Sequence, residues 1–316
     1  GEILLRITAC GLCPGEVMDW YMARKAPVPL GHEPVGEVVE VGPGAPFRAG
    51  ERVFVHHHAP CLNCRACRRG DHVHCATWGP RRLIPGGLAS YAVAAAPAPA
   101  SDALRLPPGL SDEIATFIEP LACVLKSVRR ARIRPGDRVV VLGLGVMGLL
   151  HLLLLRHLGG PSQLIGADRV AERVSFAQSG AFADLVVNTA AMPLADAVVE
   201  ATGGEGADVV VVGPGTVEAL ESGCRALAAG GTLVVFTPTP PEVIWPVRPH
   251  ELFFRETTIV PSYSSGPDDT REALRLLEQG LPVASLITHR LPLEEAATGY
   301  ALVRAAGPAL KVVVCP

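Results

Sequence analysis

Aromatic residues are scarce in this sequence, at 5% of the chain, and they do not interleave with basic residues as a nucleic-acid-binding surface requires. An excess of either charge is also absent. Lys and Arg number 28 against 31 Asp and Glu, for a net charge of -3. The densest basic patches, Arg65-Ala-Cys-Arg-Arg69 and Arg129-Arg130-Ala-Arg132, are short. No global attraction to nucleic acid or to an anionic membrane follows from such a balance. Long apolar runs are missing too. The longest, between Arg138 and Arg156, has 17 residues and is broken by three glycines and His151. It falls short of the roughly 20 apolar residues that span a bilayer. The chain opens at Gly1-Glu2 directly into the strand-like Ile3-Leu-Leu-Arg-Ile7, without the charged start and apolar stretch of a signal peptide. A cytoplasmic protein with neither a membrane nor a nucleic acid as partner is expected.

What is present suffices for two domains: 316 residues, of which 49% are hydrophobic. Residues 1 to about 120 read as short strands among Gly and Pro turns, including Val35–Val41, Arg52–Val55 and Ala89–Val93. From Asp137 the texture changes to apolar strands alternating with helices. The expected strands are Arg138–Leu142, Gln163–Ala167, Leu185–Val187, Asp208–Val212 and Thr232–Phe236, with helices over 146–158, 170–179, 193–202 and 216–228. Buried strands alternating with helices imply a parallel, doubly wound sheet. A helix over 269–279 and the pieces Ile287–Leu291 and Leu310–Val314 follow, the last reading as a strand that returns to another sheet. The fold class is therefore α/β: a mostly-β domain over 1–122 and 264–316, and a Rossmann domain over 123–263.

Nine cysteines would suggest disulfides in a small secreted domain, but four of them fall within the fifteen residues 61–75. Cys61, Cys64, Cys67 and Cys75 are spaced x2, x2, x7, and tight turns of this kind bring four thiolates around one closed zinc. Four sulfurs also suit an iron–sulfur cluster; the coenzyme-binding fold that follows favours zinc. His56, His57 and His58 precede this lobe. Read as strand residues they alternate sides and cannot all serve one ion.

Gly143-Leu-Gly145-Val146-Met147-Gly148 matches G-x-G-x-x-G, directly after a strand and at the start of a helix. The first glycine permits the turn, the second lets the backbone approach a pyrophosphate, and the third allows helix and strand to pack closely. Asp168 ends the next strand, twenty residues after Gly148. A carboxylate there accepts the ribose hydroxyls of NAD and repels the extra phosphate of NADP, while Arg169 beside it pulls the other way. NAD is the expected coenzyme.

Three further elements stand before the Rossmann unit: Cys10-Gly-Leu-Cys13, Gly31-His32-Glu33 and Ile118-Glu119-Pro120. In this order, with the cysteine lobe and the glycine loop, they resemble the zinc-dependent medium-chain dehydrogenase/reductase family, in its sorbitol and threonine dehydrogenase branch. The likeness covers essentially the whole chain. It implies a GroES-like catalytic domain and a second, catalytic zinc held by Cys13, His32 and Glu119, with Glu33 as a fourth or exchanging ligand. The implied activity is hydride transfer between NAD(H) and a small-molecule substrate, a secondary alcohol, polyol or hydroxy-amino acid. It is carried out by a homodimer or homotetramer with two zinc ions per chain. Family members usually carry a short strand region ahead of the position of Gly1. They also carry Ser or Thr two residues after the ligand cysteine and often His five after, to pass the alcohol proton outward. Here those positions are Gly15 and Met18, and Ser264-Ser265 stand where the sorbitol enzyme has an Arg-Tyr pair. A sugar-alcohol phosphate dehydrogenase and a non-catalytic NAD-binding sensor of the same fold are the alternatives.

Overall fold

A computed structural model describes residues 1–316. The chain forms two compact units, Gly1–Cys123 with Ser264–Pro316, and Val124–Tyr263. In the first, β1 (Ile3–Gly11), β2 (Glu33–Val41), β3 (Arg52–Val55), β4 (Leu83–Ile84), β5 (Tyr91–Ala94) and β6 (Ala103–Arg105) are laid down before the chain leaves for the second unit. Alternation sets the inner face. Ile3, Leu5 and Ile7 point into a core with Val38, Val53, Val55 and Phe47, while Arg6 between them is exposed.

The second unit carries β7 (Arg138–Leu142), β8 (Gln163–Asp168), β9 (Leu185–Asn188), β10 (Ala207–Val212), β11 (Leu227–Val235) and β12 (Thr258–Pro261). They form one sheet in the order β12-β11-β10-β7-β8-β9, parallel throughout. The helices Val146–Leu158, Ala171–Ser179, Leu194–Ala201 and Val217–Ala226 connect its strands. Val139, Val140 and Val141 are buried on both faces, which is why these strands read as unbroken apolar runs. β11 differs from the expected Thr232–Phe236 at both ends, running from Leu227 to Val235. Gly230-Gly231 interrupt its pairing, so Ala207 faces Leu227 but Val209 faces Thr232.

The chain then returns to the first unit with β13 (Ile287–Pro292) and β14 (Lys311–Cys315). Eight strands make that sheet, in the order β13-β14-β1-β2-β3-β6, with β5 pairing β1 and β4. The last strand of the chain thus lies against the first, Cys10 opposite Val314 and Gly11 opposite Val313. No helix is long and apolar enough to cross a membrane.

Gly148 lies in the first turn of the helix Val146–Leu158, and a Cβ there would fall on the carbonyl oxygen of Gly143, well inside contact distance. Ala is the better helix former by about 1 kcal/mol, so at an open position Gly148→Ala would stabilise. Here the clash is with backbone and outweighs propensity. The variant is expected to lose about 1–3 kcal/mol, seen as a lower urea midpoint at unchanged slope. A raised midpoint would show that the glycine loop yields to a methyl group.

Candidate active site

The site is built where β1 ends. Gly11 faces Glu33 of β2, and a Cβ on Gly11 would collide with both Glu33 Oε2 and Lys311 Nζ. Glycine therefore leaves the space in which these two side chains pair, each 1% exposed. Burial pushes the Glu33 carboxyl up, and the Lys311 ammonium opposes it. The Lys311 nitrogen also lies 5.1 Å from the centroid of the Phe117 ring.

Cys13 opens the short turn Pro14–Val17, and its sulfur accepts a hydrogen bond of 3.3 Å from the Gly15 amide. Glu16 is buried in that turn. Its Oε1 accepts from the Gly31 amide at 2.9 Å and from His32 Nδ1 at 2.8 Å, and its Oε2 accepts from the Tyr300 hydroxyl. Burial works against ionisation of Glu16, but these donors, His32 foremost, hold its carboxyl below the ordinary range. A carboxylate at Nδ1 assigns the proton to that nitrogen and leaves the lone pair on Nε2. Gly31 makes the approach possible: its φ is +85°, and a Cβ would lie 2.6 Å from the Leu88 amide.

The ligand atoms of Cys13, His32 and Glu33 lie within 4.8 Å of one another. Thiolate, imidazole and carboxylate are zinc donors, so the set fits that ion. Cys13 and His32 are half-buried, so the group is not sealed. Glu119 borders this group, its charge acting on both Cys13 and Glu33. Its Oε1 accepts from Cys123 Sγ at 3.5 Å, one helical turn on.

His56, His57 and His58 are not strand residues, because β3 ends at Val55. All three are buried. His56 Nδ1 pairs with Asp102 at 2.8 Å, and the Thr270 hydroxyl donates to the same carboxylate. Burial above all, with the crowding of the adjacent imidazoles, His58 first, depresses His57 well below the ordinary imidazole range; burial and His56 take His58 to about 2. Both rings are neutral, and each has a buried Nδ1 without a hydrogen bond, at a cost of about 1–3 kcal/mol apiece.

In the lobe, Cys61, Cys64, Cys67 and Cys75 place their sulfurs within 4.8 Å of one another, and Cys64 and Cys67 are 3.5 Å apart. That is too far for a disulfide and close to the ~3.8 Å that sulfurs keep around one zinc with ~2.3 Å arms. A multi-iron cluster would hold them farther apart.

In the second unit Gly143 has φ +97°, which turns the chain from β7 into the helix Val146–Leu158. That helix starts at Gly145 without a side-chain cap, so the amides of its first turn, Val146, Met147 and Gly148, are free to meet an anion. Asp168 is buried; its Oδ2 accepts from the Leu144 amide at 2.6 Å and its Oδ1 from the Val170 amide at 2.9 Å. Arg169 is exposed. A different arginine reaches the site: Arg173 Nη1 lies 3.8 Å from Asp168 Oδ2 and beside Gly145.

Residues 1–108 match the alcohol dehydrogenase GroES-like domain, and residues 145–279 match the zinc-binding dehydrogenase family. The chain is 31% identical to an erythritol/L-threitol dehydrogenase of Mycolicibacterium smegmatis, covering 100% of this chain and 91% of that one. The chain belongs to the zinc-binding alcohol dehydrogenases. A sorbitol dehydrogenase of Halalkalibacterium halodurans is 30% identical, over 100% of this chain and 92% of the other. Among solved structures, one from Sinorhizobium meliloti assigned as a zinc-binding dehydrogenase and bound to NADP superposes with a TM-score of 0.85. It shares 30% identity and covers 100% of this chain and 92% of that chain.

Sequence reasoning missed three residues of this zinc-binding dehydrogenase, Lys311, Tyr300 and Arg173, and set His57 aside with its neighbours. Only Lys311 left a signal, a charge at the head of the apolar Lys311-Val-Val-Val314. Because Glu16 orients His32, Glu16→Gln should weaken zinc binding at the Cys13 group about 10–100-fold. Competition with a metal-indicator dye measures this; unchanged affinity would show that His32 needs no such support.

Proposed function

We propose that this protein moves hydride between a secondary alcohol or polyol and a nicotinamide dinucleotide, NAD in preference to NADP, with two zinc ions per chain. The observation that carries this reading is the Cys13–His32–Glu33 group. Three zinc donors converge within 4.8 Å while Cys13 and His32 are only partly buried, so an ion held there would keep an open position. When bound, zinc would supply Lewis acidity to an alcohol or carbonyl oxygen, and the nicotinamide would accept or return the hydride. Erythritol, threitol and sorbitol, the substrates named for the two relatives, favour a polyol over a simple alcohol. A hydroxy-amino acid fits the same chemistry.

The chain's own residues have separate tasks. Glu16, itself held by Tyr300, anchors one edge of the His32 imidazole, and Lys311 balances the charge of Glu33. Cys61, Cys64, Cys67 and Cys75 would hold a closed, structural ion. Glu119 adds its charge beside the open group, acting on Cys13 and Glu33. The side chains on the Cys13 turn and its carboxylate neighbours are engaged or lack an acceptor. Glu16 accepts three hydrogen bonds, Glu33 is paired, and neither Gly15 nor Met18 carries an acceptor. The proton is therefore read as leaving to solvent. Ile244, Phe253 and Phe254 are largely exposed just before the edge strand β12, which supports a homo-oligomer.

Metal analysis should find two zinc ions per chain of unequal lability. Mild chelation is expected to remove one together with all polyol-dependent NAD⁺ reduction and to leave the other with the fold intact. Cys64→Ser should lower thermal stability instead. A single zinc per chain, or no turnover on any polyol, secondary alcohol or L-threonine, would overturn the reading.

Coenzyme choice rests on Asp168, whose carboxylate would face the adenosine ribose, with Arg173 and Arg169 as the opposing cations. NAD⁺ should bind more tightly than NADP⁺, and Asp168→Ser should narrow or invert that ratio. If the unaltered protein binds both equally, the arginines prevail and the preference is withdrawn.

A further inference from the structure

The rings of His32, His57, His58 and Trp78 follow one another in a tilted stack. Centroids are 4.8 Å apart from His32 to His57, 4.0 Å from His57 to His58 and 3.8 Å from His58 to Trp78, with tilts of 43°, 43° and 32°. Trp78 is buried with Cys67 and Cys75, and Cys61 and Cys64 pack against the same cluster. One end of the column is thus a ligand of the open metal group and the other is the wall of the four-cysteine lobe. His56 backs the column edge-on, its ring 5.0 Å from that of His57 and nearly perpendicular to it. The hydrogen bond of His56 to Asp102 anchors that support.

We propose that His57, His58 and Trp78 are positioning residues, through which a filled cysteine lobe sets the affinity of the Cys13–His32–Glu33 group for zinc. This rests on the metal-binding reading of that group. The hydrogen bond from His32 Nδ1 to Glu16 fixes one edge of the imidazole but leaves the ring free to tilt about that bond. Metal–ligand distances tolerate only about 0.2 Å, so a tilt costs affinity, and the face of His57 is what opposes it. His57 needs a backing of its own. Its Nδ1 and that of His58 make no hydrogen bond, so packing rather than polar anchoring holds both rings on that side. Only Trp78, seated on the lobe, closes the column. Four thiolates drawn onto one ion would fix the turns on which Trp78 rests. An empty or oxidised lobe would let them spread.

The test uses the full chain with both sites loaded and reads zinc affinity at the labile site by competition with a chelating dye. Trp78→Leu and His57→Ala are expected to weaken that affinity about 10–100-fold, the range for residues that orient a ligand. Trp78→Phe, which keeps a ring in place, should stay close to the unaltered protein. Cobalt substitution, read through the thiolate charge-transfer band, shows whether the lobe is still filled in each variant. Val53→Ala, in the sheet core away from the column, controls for general loosening and should leave the labile site unchanged. Full affinity in folded Trp78→Leu and His57→Ala proteins with a loaded lobe would overturn the proposal, as would equal weakening by Val53→Ala. If Trp78→Leu does not fold, His57→Ala carries the same test. Absence of a labile zinc from the unaltered protein would instead overturn the function proposed above, and this inference with it.

Discussion

The first unit is organised around a carboxylate with nowhere to go. Glu33 is sealed between β1 and β2, beside a thiol and an imidazole, and a lone charge in such a place costs several kcal/mol. Lys311 answers it from β14, and Gly11 clears the path between them. Three strands distant in sequence must therefore arrive in register before the charge is balanced. The buried pair is weak evidence for stability in itself, since an apolar pair of the same shape would serve as well. What it secures is placement: an oxygen donor held next to Cys13 and His32 in a site otherwise built of apolar strands.

Much of this was legible from residues alone. The second unit announced itself because both faces of its sheet are covered, so Arg138–Leu142 and Asp208–Val212 read as unbroken apolar strands. A glycine loop in that context has few other uses. The cysteine lobe was legible for a similar reason: four thiols among Arg, Asn and His offer nothing to a core. Gly11 and Gly31 were less so, since only the opposing strand or the Leu88 amide shows why no Cβ fits. Glu119 enters the reading through resemblance alone, since a lone Ile-Glu-Pro carries no metal-binding pattern of its own.

The residues that escaped notice share a physical property: each acts at long sequence range through one contact. Tyr300 reaches Glu16 from a helix 284 positions on, and no periodicity encodes that. Arg173 looks like any charge on the surface of an amphipathic helix until its guanidinium is seen beside Asp168 and Gly145. His57 was discounted by a strand rule, that alternate residues face opposite ways, which lapses once the strand has ended at Val55. Local patterns reveal elements and tight motifs, whereas the partners that orient a ligand come from wherever the topology delivers them.

The return of the chain to its first sheet has a consequence in time. Glu33 and its counter-charge are 278 residues apart, and the whole of the second unit is encoded between them. At roughly 5–20 residues per second of synthesis, the carboxylate waits some tens of seconds on the ribosome before Lys311 exists. Throughout that interval the thiol, imidazole and carboxylate are present without the strand that seats them, next to β1 with an unpaired edge. The second unit can be finished first, and the group of Cys13, His32 and Glu33 is seated only once β14 has been made.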